Sequence, residues 1–305
     1  MSLALLCPGQ GAQHAAMFER ARPYPAARQV MAAATALLGR DVVEAAGADD
    51  RFDNAQAQPL LCAATLAQWQ ALREALPVPL LVAGYSIGEL AAHAIAGSID
   101  TAGCLHLAAQ RARLMDAASP PDSGLQAVLG LTRAPLQVLC AAHGTHIAIA
   151  NGSDHFIVGG PWPALHALAD AARMEHAEIR PLPVHVPAHT PLLAEASSAF
   201  ADALATSGLT APQIPLLAGI DARLVRDAVV AQHSLAAQLS HTIEWAQVMR
   251  QAFERGARVF LQLGPGTALA RMVASAYPCC DVRAVEEFQH LDGAAAWVQK
   301  ALDRT

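Results

Sequence analysis

The chain has 305 residues, of which 54% are hydrophobic and only 15% charged, enough apolar material for one large domain with an insert and too much for a disordered chain. A formal net charge of −6 and the absence of any Lys/Arg block exclude the electrostatic footprint of nucleic-acid binding. No apolar run reaches the roughly 18 residues needed to span a bilayer, and with aromatics at 5% the core must be filled by Ala, Leu and Val.

The segment Met1-Ser2-Leu3-Ala4-Leu5-Leu6-Cys7 lacks the basic flank and length of a signal peptide and reads as a first strand, Leu3–Cys7. The six cysteines (Cys7, Cys62, Cys104, Cys140, Cys279, Cys280) lie mostly in apolar segments without CxxC spacing. That is the pattern of reduced, buried thiols in a cytoplasmic protein. In the loop Pro8-Gly9-Gln10-Gly11-Ala12-Gln13, two glycines let backbone amides approach a ligand closely. Helices are expected over Ala26–Leu38 and, after the turn Asp49–Asn54, over Pro59–Ala75 with Pro59 at the first helical position.

Pro77 and Pro79 break the chain before an apolar strand that ends in Gly84-Tyr85-Ser86-Ile87-Gly88. This Gly-x-Ser-x-Gly spacing suits a tight strand-to-helix turn, with small residues on either side so that the backbone can fold beneath an exposed serine hydroxyl. Helices are expected over Glu89–Ala96 and Thr101–Ala117, so the serine would stand at a helix N-terminus, where main-chain N–H groups favour developing negative charge. The alternation so far implies a parallel sheet covered by helices.

A shorter rhythm begins around Ser119–Gly124: strand Gln126–Leu131, helix Ala134–His143, strands Ile147–Ala150 and His155–Gly159, helix Pro163–His176, strand Ile179–Val184. The order βαββαβ is that of the ferredoxin-like unit, inserted as residues 123–189 into a larger subdomain of residues 1–122 and 190–305. The long rhythm then resumes with helix Leu192–Ser207, strand Pro215–Ala218, helices Leu235–Leu239 and Trp245–Arg255, strand Val259–Leu263, the turn Gly264-Pro265-Gly266 and helix Thr267–Ala276.

A nucleophilic serine needs a base, and thirteen histidines compete for that role. His143, His146, His155, His166 and His176 fall in the insert and read as solvated or satisfied surface residues. No HExxH pair and no companion cysteine spacing points to a metal. His189 follows Val186-Pro187-Ala188 at the exit from the insert, where a cleft between subdomains would form, although a structural histidine is the ordinary reading. Arg111 lies in an apolar stretch and would be costly to bury without an anionic partner; a surface arginine beside Arg113 is the ordinary alternative.

Six segments change these readings. The elbow with Glu89-Leu90, the Pro8–Gln13 loop, Gln56-Ala57-Gln58-Pro59, Arg111-Ala112-Arg113-Leu114-Met115, Val186-Pro187-Ala188-His189 and Gly264-Pro265-Gly266 together resemble the malonyl-CoA:acyl carrier protein transacylase family, in its order. The resemblance runs from residue 3 to residue 276. It implies an α/β-hydrolase-like parallel-sheet core with a ferredoxin-like insert, and transfer of malonyl from malonyl-CoA to the thiol of an acyl carrier protein bearing a phosphopantetheine-type group. By position, Ser86 matches the acyl-accepting nucleophile, His189 the base, the backbone carbonyl of Gln238 its orienting acceptor, the N–H groups of Gln10 and Ile87 the oxyanion hole, and Arg111 the residue binding the malonyl carboxylate. Neither a metal nor a permanently bound cofactor is implied. The chain departs from the family's usual pattern at Tyr85 (customarily histidine), Ile87 (leucine), Ala188 (serine or phenylalanine) and the stretch Ser240–Trp245. Those departures open a reading as the carrier-loading epsilon subunit of malonate decarboxylase, beside fatty-acid or polyketide malonyl loading. A serine esterase or thioesterase using the same elbow is the rival class.

Overall fold

The computed structural model describes residues 2–304; Met1 and Thr305, the ends of the expected larger subdomain, lie outside the described residues. The chain runs β1 (Ser2–Cys7), α1 (Pro25–Leu38), α2 (Val42–Gly47), α3 (Asn54–Leu72), β2 (Leu81–Gly84), α4 (Gly88–Ile95) and α5 (Thr101–Ala118). It continues β3 (Ser123–Leu129), α6 (Arg133–His143), β4 (His146–Ala150), β5 (His155–Pro161), α7 (Trp162–Met174), β6 (Glu178–Pro181), α8 (Ala194–Ala205) and β7 (Leu216–Leu217). The last elements are α9 (Ala228–Ala237), α10 (Trp245–Glu254), β8 (Ala257–Gln262), α11 (Ala268–Ala276), β9 (Asp281–Ala284) and α12 (Leu291–Asp303).

The result is a mixed α/β protein with two sheets. Five parallel strands are ordered β7-β2-β1-β8-β9, and four antiparallel strands are ordered β4-β5-β3-β6. The central strand β1 pairs Leu5 with Val82 on one side and with Leu261 on the other. Residues Leu3 to Cys7 are all buried, as a parallel strand covered on both faces requires, which is why it reads as one apolar run. The antiparallel sheet carries the βαββαβ order. One face of it, with Leu125, Ala127, Ile149 and Ile157, joins the main core; the other, with Val128, Phe156 and Val158, is covered by Leu136 of α6 and Leu165 and Leu168 of α7.

Several elements differ from the sequence expectation. Helix α3 begins at Asn54, so Pro59 is its sixth residue and not its first: the Asp53 carbonyl accepts from the N–H groups of Gln56 (2.9 Å) and Ala57 (2.8 Å), closing a first turn upstream of the proline. A proline this close to the helix start forfeits a single intrahelical bond. Helix α9 begins at Ala228, seven residues before the expected Leu235, because the carboxylate of the preceding Asp227 accepts the Val230 N–H at 2.8 Å and caps it. Strand β6 spans Glu178–Pro181, shorter than the expected Ile179–Val184, because Pro183 has no N–H to continue the ladder. Helices α2 and α12 and the edge strand β9 were not anticipated.

Candidate active site

The turn after β2 is built by what its glycines leave out. A Cβ at Gly84 would lie 2.2 Å from the Glu89 backbone, and one at Gly88 would lie 2.2 Å from the Cys7 carbonyl oxygen, so β1, β2 and α4 meet only if both positions lack side chains. The Tyr85 N–H donates to the Cys7 carbonyl at 2.9 Å, and Ser86 is left with φ 56°, the left-handed region that a non-glycine residue adopts only where its surroundings enforce it. Its hydroxyl thereby stands beyond the carboxyl end of β2, at the start of α4.

His189 reaches the same point from the segment that follows β6, the last strand of the antiparallel sheet. It too has a positive φ, 63°, fixed by its N–H donating to the Leu239 carbonyl at 2.9 Å. Its Nδ1 lies 2.6 Å from the Gln238 backbone carbonyl, which can only accept, so Nδ1 carries the proton and Nε2 the lone pair. The Ser86 hydroxyl donates to that Nε2 at 2.8 Å. Burial first, and the Arg111 charge second, push His189 down to about 3, so the imidazole is neutral at pH 7. No protein acceptor meets the main-chain N–H of Gln10 or of Ile87 among the described residues. Those are the two groups expected to form an oxyanion hole.

Ser86, His189 and Gln10 open into a cavity of about 370 Å³. Its walls are mostly apolar and come largely from the antiparallel sheet (Leu125, Ala127, Ile149, Ile157), with Leu182 just past β6 and Leu269 and Met272 of α11. Tyr85 lines it as well, with its ring packed edge-on against Trp245, ring centres 5.3 Å apart. His155, expected at the surface with the other histidines of the insert, also lines it, because β5 runs along the cavity wall. A larger groove of about 950 Å³ lies along α9 and α10 among Arg223, Arg226, Arg250 and Arg255, and Ser86, His189 and Arg111 are absent from its lining. Size alone would mislead; the chemistry converges on the smaller cavity.

Arg111 is 2% exposed and lies behind the cavity lining. Its Nη1–H donates to Gln58 Oε1 at 2.8 Å and its Nη2–H to Gln238 Oε1 at 3.1 Å. Burial lowers it to about 10, partly offset by Cys62 and then by Glu89, so it remains a cation at neutral pH. Gln58 and Glu89 stand beside this cation although the sequence assigned them no role; the available signal was a carboxylate and an amide set in otherwise apolar helices, Glu89 before Leu90-Ala91-Ala92 and Gln58 before Pro59-Leu60-Leu61. Among the described residues no group of three His, Cys, Asp or Glu side chains is arranged to hold a metal ion, and no helix is long and apolar enough to cross a membrane.

A family model described as an acyl transferase domain matches residues 4–289. The malonyl CoA-acyl carrier protein transacylase of Salmonella typhimurium is 30% identical over 277 residues, covering 87% of this chain and 90% of that protein. The protein of the same description from Mycobacterium tuberculosis is 30% identical over 299 residues, covering 95% and 98%. Among solved structures, FabD from Acinetobacter baumannii superposes with a TM-score of 0.92 at 27% identity, covering 98% of this chain and 99% of that one. A malonyl-transacylase solved in complex with its type II PKS acyl-carrier protein superposes equally well, TM-score 0.92 at 27% identity, covering 97% and 99%.

Proposed function

The chain belongs to the acyl transferase domain family, and on that premise we propose that it is a malonyl-CoA:acyl carrier protein S-malonyltransferase. The observation that carries the reading is the neutral His189, held by a main-chain carbonyl on one nitrogen and accepting the Ser86 hydroxyl on the other. His189 Nε2 takes the Ser86 proton as Oγ attacks the thioester carbon of malonyl-CoA. The tetrahedral oxyanion is received by the Gln10 and Ile87 N–H groups. On collapse the C–S bond breaks, the proton on His189 passes to the departing CoA sulfur, and a malonyl ester remains on Ser86. The carrier's phosphopantetheine-type thiol then gives its proton to His189, attacks the ester, and Ser86 recovers its hydrogen. Arg111 pairs with the free malonyl carboxylate and so sets the thioester over Ser86. Malonyl-CoA is a substrate, and no resident cofactor takes part.

In this reading residues 1–122 and 190–305 form an α/β-hydrolase-like core, and residues 123–189 a ferredoxin-like insert whose strand order, β4-β5-β3-β6, supports that description. The protein works in the cytoplasm, where both malonyl-CoA and reduced thiols are available. The carrier is supplied by fatty-acid synthesis, a polyketide system or malonate decarboxylase.

Intact-mass measurement after mixing with malonyl-CoA should show a malonyl adduct that is absent in Ser86→Ala. Addition of a carrier protein should move the adduct to the carrier. Parallel assays with fatty-acid, polyketide and malonate decarboxylase carriers identify which one is served. Rapid release of free malonate without carrier-dependent transfer would replace the transferase reading by a thioesterase.

A further inference from the structure

Between the nucleophile helix and the base lies a buried polar chain that joins Gln238 and Arg111 to Glu89 and Gln58, two residues that the acylation steps do not use. Glu89, the second residue of α4, is fully buried. Its Oε2 accepts two hydrogen bonds, one from the Gly219 N–H at 3.0 Å and one from the side-chain amide of Gln238. Its Oε1 is buried without a hydrogen-bond partner among the described residues. At its other end the Gln238 amide accepts from Arg111 through Oε1, and Arg111 is steadied in turn by Gln58.

Chemistry fixes the direction of this chain. A guanidinium has donors and no acceptor, so Gln238 must turn its carbonyl toward Arg111. Its NH2 then faces Glu89, where only an acceptor oxygen fits. The flipped amide would set N–H against N–H at one end and oxygen against oxygen at the other. Gln238 therefore carries two duties: its main-chain carbonyl holds His189 at 2.6 Å, and its side chain holds Arg111 at 3.1 Å. The first duty depends on the backbone of the turn, where the Leu239 N–H donates to the Ala236 carbonyl. The second depends on the side-chain amide, and Glu89 is what clamps it.

We propose that Glu89 is a positioning residue for acyl-group selection, fixing the Gln238 amide so that Arg111 is aimed at the substrate carboxylate. The inference rests on the malonyl reading above. The Glu89 side chain makes no hydrogen bond to Ser86 or His189 and acts through its neighbours; only its main-chain N–H meets Ser86, donating to the Ser86 carbonyl at 3.0 Å as part of the turn. Without the clamp, Arg111 keeps Gln58 but loses a fixed second acceptor. A substrate that lacks a carboxylate does not call on Arg111, so the loss falls selectively on malonyl.

The test is single-turnover acylation of Ser86 by malonyl-CoA and by acetyl-CoA, read by intact mass on the full chain, for wild type, Glu89→Gln and Glu89→Met. Glu89→Gln keeps an acceptor oxygen for Gln238 and Gly219 and should stay within about threefold of wild type on both substrates. Glu89→Met should slow malonyl acylation about tenfold or more, mainly through a raised half-saturating malonyl-CoA concentration, while slowing acetyl acylation less than about threefold. Equal losses on the two substrates, or no loss in Glu89→Met, overturns the proposal. If Glu89→Met shows no thermal unfolding transition, Gln238→Met reads the same bond from the other side while keeping the main-chain carbonyl. A malonyl-selective loss is expected there too, and an equal loss overturns the proposal. A wild-type chain that malonyl-CoA does not acylate refutes the malonyl reading and this inference with it; normal wild-type acylation with unselective variants refutes this inference alone.

Discussion

The charge on Arg111 acts in two directions at once. It disfavours a proton on His189, and, on the proposed reading, the malonyl carboxylate offsets its burial. Arg111→Ala should therefore remove the carboxylate partner while relieving part of the pressure on His189. Truncating one member of a buried charge pair costs about 2–5 kcal/mol, a loss of roughly 30-fold or more for malonyl acylation. Acetyl acylation, which never used the pair, should fall far less or rise, and steady-state kcat/KM for the two acyl-CoA substrates measures the contrast. Equal losses would mean that Arg111 serves the fold and not the substrate. Of the individual residues only Ser86, between two glycines, stood out by its local pattern; His189 and Arg111 read locally as a structural histidine and a surface arginine, and the family resemblance singled them out. The link from the Gln238 carbonyl to His189 came with that resemblance, and those of the Gln238 side chain to Arg111 and Glu89 were not foreseen. Gln238 is 49 residues from His189, 127 from Arg111 and 149 from Glu89, and no spacing rule predicts which atom of a glutamine meets which partner across such separations.

Helix α4 shows how one element can carry both the chemistry and an acid weakness. Its N-terminus presents Ser86, and one turn past Glu89 it buries His93, whose Nδ1 faces the Ser98 hydroxyl at 3.2 Å while Nε2 has no hydrogen-bond partner among the described residues. Burial lowers His93 to about 3, as burial and Arg111 do His189. Both values lie below the ordinary 6.5, so between pH 6.5 and 3 the unfolded chain binds protons that the folded chain refuses. Stability then falls as the pH falls, by up to about 1.4 kcal/mol per pH unit for each histidine. Glu89 has the opposite sign: burial raises it to about 7 from 4.5, so the folded chain holds a proton through that window and offsets one histidine. Of these three groups, one histidine's slope remains between pH 6.5 and 4.5. His93→Met should flatten it, seen as a smaller drop in Tm between pH 7.5 and 5 by calorimetry; an unchanged drop would show that His93 is not its source. Other elements trace how far the sequence could be read. Helix α3 has no apolar stripe because α1, α4, α5 and α12 cover it on several sides, so its upstream boundary left no periodic signal. Strand β9, Asp281-Val282-Arg283-Ala284, is a short edge with two charges, and only pairing with β8 distinguishes it from a loop.

At the scale of the molecule the active cavity exists because two sheets share one core. The parallel sheet supplies Ser86, while the antiparallel sheet supplies most of the apolar wall opposite it. Composition and element order announced both sheets, yet they left open whether the second was a separate body on a hinge. The contacts argue for joint stability. Leu125, Ala127, Ile149 and Ile157 of the antiparallel sheet belong to the same buried cluster as Leu5, Ile87 and Leu239, without the polar interface typical of separable domains. A segment outside the sheet extends it further: the Ala150 N–H donates to the Ile243 carbonyl at 2.8 Å, the Ile243 N–H to the Ala148 carbonyl at 3.0 Å, and the Thr242 hydroxyl to the Ile147 carbonyl at 2.7 Å. Removing the antiparallel sheet would expose an apolar face of the main core and leave that segment without its partners, so neither part should melt far ahead of the other. The expected outcome is one thermal transition whose calorimetric and van't Hoff enthalpies agree, with amides of β3 and β5 exchanging with solvent at the same opening free energy as those of β1 and β2. Two resolved transitions, or early exchange confined to residues 123–189, would make the antiparallel sheet an independent unit and the cavity an interface that opens.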